Sequence, residues 1–95
     1  MLHFETVAPK TLELLINLQG LKSMQGSRLV GGTALALQYG HRISVDLDFF
    51  FYNTEVDFLS IITEIKNKGF KLELRKQSTS IMIAMLEKVK VDFDV

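Results

Sequence analysis

Residues 29–50 read LVGGTALALQYGHRISVDLDFF. The string joins an apolar strand, a double glycine, a short helical segment, a basic turn and a second strand carrying two aspartates. A Gly31-Gly32-Thr33 turn entering a helix lets backbone N–H groups approach anionic oxygens closely, because no Cβ blocks the way. Asp46 and Asp48 are two apart, so on an extended strand both carboxylates leave the same face. Val45, Leu47 and Phe49 then point into the core. Two carboxylates at that spacing can hold a hard divalent cation such as Mg²⁺ against a polyphosphate. A phosphate cradle and a metal-binding acid pair are thus coupled within about 20 residues.

Each of these features also has a plainer use. Gly31 and Gly32 can form a tight left-handed turn, and Thr33 can be a helix N-cap. Asp46 and Asp48 can be a solvated strand face or ion partners of Arg42. Arg42 itself can clamp a phosphate or neutralise the acids. Ser44 stands two before Asp46 and can bond a phosphate oxygen, or simply shape the turn. His41 reads as a turn histidine, and His3 has no evident role. The order of the features, with the acids just after a phosphate-type turn, favours the chemical reading.

Working outward, the periodicity predicts a helix from Pro9 to Leu21, with Leu12, Leu15 and Ile16 on one stripe and Leu14 and Leu18 widening it. Lys22 to Ser27 is a turn, Arg28 to Val30 a strand, and Thr33 to Tyr39 a short helix closed by Gly40. His41 to Ser44 forms the basic turn. Val45 to Phe51 is a strand whose run of aromatics suggests cover on both faces. Asn53 and Thr54 offer an N-cap to a helix over Glu55 to Lys68. Its apolar side is Val56, Leu59, Ile62 and Ile65, widened by Phe58 and Ile61. Three strands follow: Phe70 to Lys76, Ile81 to Leu86 and, after a tight Glu87-Lys88 connection, Val89 to Val95. On the last, Val89, Val91, Phe93 and Val95 face one way and Lys90, Asp92 and Asp94 the other. The order implies an α/β fold with a mixed sheet of about five strands and helices packed on it.

The Gly-Gly turn followed by Asp-hydrophobic-Asp resembles the nucleotidyltransferase superfamily. The fuller string, GGTALAL, GHR, Ser and then DLDFF, is most similar to the AbiEii/AbiGii toxin family within it. The resemblance implies a nucleotidyltransferase core in which the acids hold Mg²⁺ or Mn²⁺ while a nucleoside monophosphate passes from an NTP to an acceptor. Asp46 and Asp48 would be two of the catalytic metal ligands, with Gly31, Gly32, Thr33, Arg42 and Ser44 around the nucleotide. A third carboxylate is wanted from a neighbouring strand. Asp92 and Asp94 both qualify by alternation, and the KVDF pattern around Asp92 is the closer likeness to the family's third acidic position. The resemblance further implies a bacterial toxin–antitoxin or phage-defence setting, a cognate antitoxin, and an acceptor such as tRNA. Its members carry a longer helical remainder, so residues 1–95 correspond to the core domain without a C-terminal helical part. The alternatives are a minimal nucleotidyltransferase-fold antitoxin, or an inactive remnant acting by protein binding.

Bulk properties agree with one folded domain. At 95 residues, 47% hydrophobic and 23% charged, the chain can build a single core. Eleven basic and eleven acidic residues leave no net field to mark a nucleic-acid or membrane binder. The cluster Lys66, Lys68, Lys71, Arg75 and Lys76 reads as a solvated face or as a surface for an RNA acceptor. The absence of cysteine excludes disulfides and thiolate-bound zinc. With no apolar run of about 18 residues and no basic leader before an apolar stretch, the expectation is a cytoplasmic protein with no membrane partner.

Overall fold

The computed structural model describes residues 2–39, 46–52 and 56–95, and of residues 6, 32, 35, 36 and 39 the backbone only. After a 3-10 turn over Phe4–Thr6 comes α1 (Pro9–Gln19). Proline occupies its first turn, where the missing N–H costs nothing, and Gly20 caps its end. Leu14, Leu15 and Leu18 are buried and Leu12 partly so, whereas Ile16 is 62% exposed. The stripe is therefore centred on Leu14 and Leu18, and Ile16, which the periodicity placed within it, lies on the solvent side. A second 3-10 turn (Lys22–Met24) leads to β1 (Ser27–Val30), which runs directly into α2 (Gly31–Tyr39). The N-terminal segment is tied to α2 where the His3 N–H donates to the Leu37 carbonyl at 2.7 Å.

Strand β2 (Leu47–Phe51) follows, then α3 (Phe58–Asn67). The helix starts later than the sequence suggests and its cap is Asp57, whose carboxylate accepts from the Leu59 N–H at 3.0 Å and from Ser60 Oγ at 2.8 Å. Asn53, Thr54 and Glu55 lie outside the described residues. Phe58, Ile61 and Ile65 are buried, while Leu59 is 67% exposed, so this stripe too is turned relative to the expectation. The side chain of Glu64 on α3 accepts from the backbone N–H groups of Lys22 and Ser23 at 3.0 and 2.8 Å, which fastens the second 3-10 turn to the helix.

Strands β3 (Leu72–Gln77), β4 (Ile81–Leu86) and β5 (Val89–Asp94) complete one five-stranded mixed sheet, ordered β1-β2-β5-β4-β3. All pairings are antiparallel except β2 with β5. A bulge between Leu74 and Lys76 interrupts the alternation of edge strand β3 and leaves Leu74 exposed. The β4–β5 hairpin turns on Glu87 and Lys88, both with positive φ (50° and 69°), as a two-residue loop requires for its twist to match the strands.

One face of the sheet carries Leu47, Phe49, Phe51, Met82, Ala84, Leu86, Val91 and Phe93, and these form a single core with the buried leucines of α1 and the buried residues of α3. Phe49 and Phe93 stack with centroids 6.0 Å apart at 18°. The opposite positions, Asp48, Phe50, Ile81, Ile83, Met85, Lys90, Asp92 and Asp94, are half-buried or exposed. Strand β2 thus alternates fully, with Phe50 38% exposed between two buried phenylalanines. Among the described residues, cover on both faces, suggested by its aromatic run, is not found; the outward aromatics instead contact one another, Phe50 meeting Tyr52 edge-on at 5.2 Å. Among the described residues no helix is long and apolar enough to cross a membrane.

Candidate functional site

The open face of the sheet gathers the acids. Asp48 on β2 is the ladder partner of Val30 on β1 and of Asp92 on β5. Asp92 in turn faces Ile83 on β4, and Ile83 faces Lys76 on β3. Residues paired across a ladder share a face, so Val30, Asp48, Asp92, Ile83 and Lys76 form one row across the sheet. Of the two acids on β5, Asp92 therefore stands opposite Asp48, while Asp94 stands opposite Phe50. Asp46 is exposed and lies one residue before β2 begins. Arg42 and Ser44, with His41 and Val45, lie outside the described residues.

The Asp48 carboxyl is pushed above the usual carboxylate range, first by burial, then by the charge and contact of Asp92, and further by Asp46; the Lys90 ammonium pulls the other way. Asp94 is raised as well, by burial and by Asp92. Among the described residues, Asp92 Oδ1 and Asp94 Oδ1 are buried without a hydrogen-bond partner. The described residues contain no group of three or more acidic or histidine side chains in metal-holding proximity. The acids that the sheet pairs directly are Asp48 and Asp92.

Gly31 closes this site from the β1 side. It opens α2 with φ +75°, and a Cβ built on it would lie 2.5 Å from Asp48 Oδ2. Only a residue without a side chain lets the carboxylate sit against the backbone there. Gly32 continues the first turn of α2. Thr33 is fully buried, and its hydroxyl donates to the Asp46 carbonyl, which joins the glycine turn to the entry of β2. The sequence marked this threonine for its place in the turn; the bond across to Asp46 carries no sequence signature.

The family profile described as "Nucleotidyl transferase AbiEii toxin, Type IV TA system" matches residues 22–94. The chain belongs to that AbiEii family. The match begins at the second 3-10 turn and runs to the end of β5, so it takes in every strand and the whole acid row. An uncharacterized protein of Aquifex aeolicus (strain VF5) is similar, 41% identical over 66 residues. That alignment covers 68% of this chain and 32% of the Aquifex protein, so the AbiEii chain described here corresponds to about a third of that relative. No solved structure gives a significant match. That description makes the family one of nucleotidyl transferase toxins of type IV toxin–antitoxin systems.

Lys90 was not among the residues marked by sequence as part of the site. Its signal was present in the alternation of VKVDFD, which sets it on the face of Asp92.

Proposed function

We propose that the chain is the catalytic core of a nucleotidyltransferase that moves a nucleoside monophosphate from an NTP to a hydroxyl of an RNA acceptor. Asp48 and Asp92, joined by Asp46, would hold Mg²⁺ or Mn²⁺. The observation that carries the reading is Asp48 set in register with Asp92 and pressed against a side-chain-free Gly31. The donor set fits a hard cation. Burial and the facing carboxylate of Asp92 raise Asp48, and among the described residues one oxygen of Asp92 is buried with no hydrogen-bond partner. When bound, a divalent cation would neutralise polyphosphate charge and polarise the phosphorus.

The chain's own residues supply position. Gly31 leaves the backbone of the first turn of α2 bare, and the helix directs its positive dipole end to that point. Thr33 fixes the Asp46 backbone relative to the turn, so the phosphate side and the acid side of the site move as one. In the transfer, the acceptor oxygen forms a bond to the α-phosphorus, the bond to the bridging α–β oxygen breaks, and pyrophosphate leaves. The hydroxyl proton goes to a carboxylate of the cluster, with Asp92 in that role. Arg42 and Ser44 are assigned to the nucleotide phosphates by resemblance.

The test is incubation of the chain with each labelled NTP, Mg²⁺ and total RNA. Label transfer is expected with the wild type, and Asp48→Asn should lower it by orders of magnitude while the fold persists. Cellular toxicity that survives Asp48→Asn unchanged would overturn the enzymatic reading in favour of a protein-binding module.

A further inference from the structure

On β5 the open face carries Lys90, Asp92 and Asp94 at alternate positions, so an ammonium and two carboxylates follow one line. Lys90 Nζ lies 3.8 Å from Asp92 Oδ2, with the lysine side chain 48% exposed and the aspartate side chain 18% exposed. Among the described residues Asp92 Oδ1 has no hydrogen-bond partner. The influence of Lys90 extends past Asp92, since its charge also opposes the rise of the Asp48 carboxyl. Two carboxylates facing each other across a strand pair repel, and an ammonium within reach offsets part of that repulsion. Lysine suits a temporary role, because its charge is a compact point on a flexible stem that can turn toward water.

We propose that Lys90 is the resident counter-ion of the Asp48–Asp92 pair, holding the two carboxylates together before a divalent cation arrives and yielding to that cation when it binds. It acts through Asp92 and is a positioning residue. The inference rests on the reading of the acid pair as a cation site. It predicts two effects of opposite sign. Without Lys90 the cation-free protein is less stable, because the acids repel more. Its affinity for a divalent cation is higher, because no ammonium has to be displaced. A residue that merely shaped the site would lower both.

The experiment compares the wild-type chain with Lys90→Met, Lys90→Gln and Lys90→Arg. Thermal melts are recorded in EDTA, and Mg²⁺ or Mn²⁺ alone is titrated by calorimetry. Lys90→Met and Lys90→Gln should melt about 1–5 °C lower in EDTA and bind the cation about two- to fivefold more tightly. Lys90→Arg, which keeps the charge, should stay near the wild type in both. Cation binding by the wild type with unchanged or weakened affinity in Lys90→Met would overturn the role of Lys90 alone. No cation binding by the folded wild type would overturn the reading of the acid pair as a metal site, and the exchange with it.

Discussion

The two faces of the sheet are built from the same five strands on opposite principles. On the helix-covered face, neighbouring positions are chosen to attract: Leu47, Phe49, Val91 and Phe93 are all fully buried, and the two phenylalanines stack. On the open face the same ladder sets Asp48 against Asp92, and burial together with that facing carboxylate pushes the Asp48 carboxyl above its usual range. The difference teaches where stability and function divide. Alternate residues of β2 and β5 carry the fold, and the residues between them carry a charge conflict that the fold tolerates.

The sharpest way to break this comparison is to mutate adjacent residues of β2. Phe49→Ala should destabilise by about 3–5 kcal/mol, a large share of what a domain of this size has. Phe50→Ala, one residue along and on the other face, should cost less than about 1 kcal/mol. Urea melts of the two variants giving similar losses would mean that the faces are not distinct.

Gly31→Ala is the next largest. The new Cβ would sit 2.5 Å from Asp48 Oδ2 on a backbone with φ +75°, so a loss of about 1–3 kcal/mol is expected. In an Asp48→Ala background the steric part disappears and only the backbone part remains. A double-mutant cycle should therefore show coupling of about 1 kcal/mol or more. Strict additivity would detach Gly31 from the acid site.

The β4–β5 turn serves both faces at once. Glu87→Asn with Lys88→Gly suits the positive φ at both positions and should stabilise by about 0.5–1.5 kcal/mol. The gain should be the same in the wild type and in Asp48→Asn, since the turn sets the pairing of β5 but not its charges.

The smallest effect is a pH slope. Asp48 has a raised folded-state pKa. Its stabilising contribution is therefore present below the ordinary carboxylate value and is lost as pH rises through the folded value. Glu64 and Asp57 are lowered by the hydrogen bonds they accept, and theirs is lost as pH falls. In EDTA, Asp48→Asn should thus gain on the wild type as pH rises out of the acid range. Parallel stability curves for the two proteins would remove the charge conflict from the open face.

Much of this was legible in the sequence because the relevant signals are short-range. The turn at Gly31, the alternation of VKVDFD and the tight Glu87-Lys88 connection each depend on a few neighbouring residues. The same alternation, with the likeness of KVDF, singled out Asp92, and the register sets it opposite Asp48. What failed was rotational. Ile16 and Leu59 are apolar residues at helical spacing, yet they face water, because a stripe can be centred on either of two adjacent rows and only the partner surface decides. The aromatic run of β2 misled for a related reason: hydrophobicity does not reveal whether a second layer exists to cover it. The bonds from Thr33 to Asp46 and from Glu64 to the 3-10 turn join parts too far apart for any local pattern.

The single parallel pairing in the sheet, β2 with β5, has a consequence in time. Asp48 and Asp92 are separated along the chain by α3 and the β3–β4 hairpin, so they cannot meet through a simple hairpin. Contacts that close so long an excursion form late in folding, after the entropy of the intervening loop has been overcome. During synthesis the strand bearing Asp48 emerges well before its partner. The Asp48–Asp92 pairing thus waits on the docking of the β4–β5 hairpin against β2, a long-range contact that comes only after the segment between the two acids has been made.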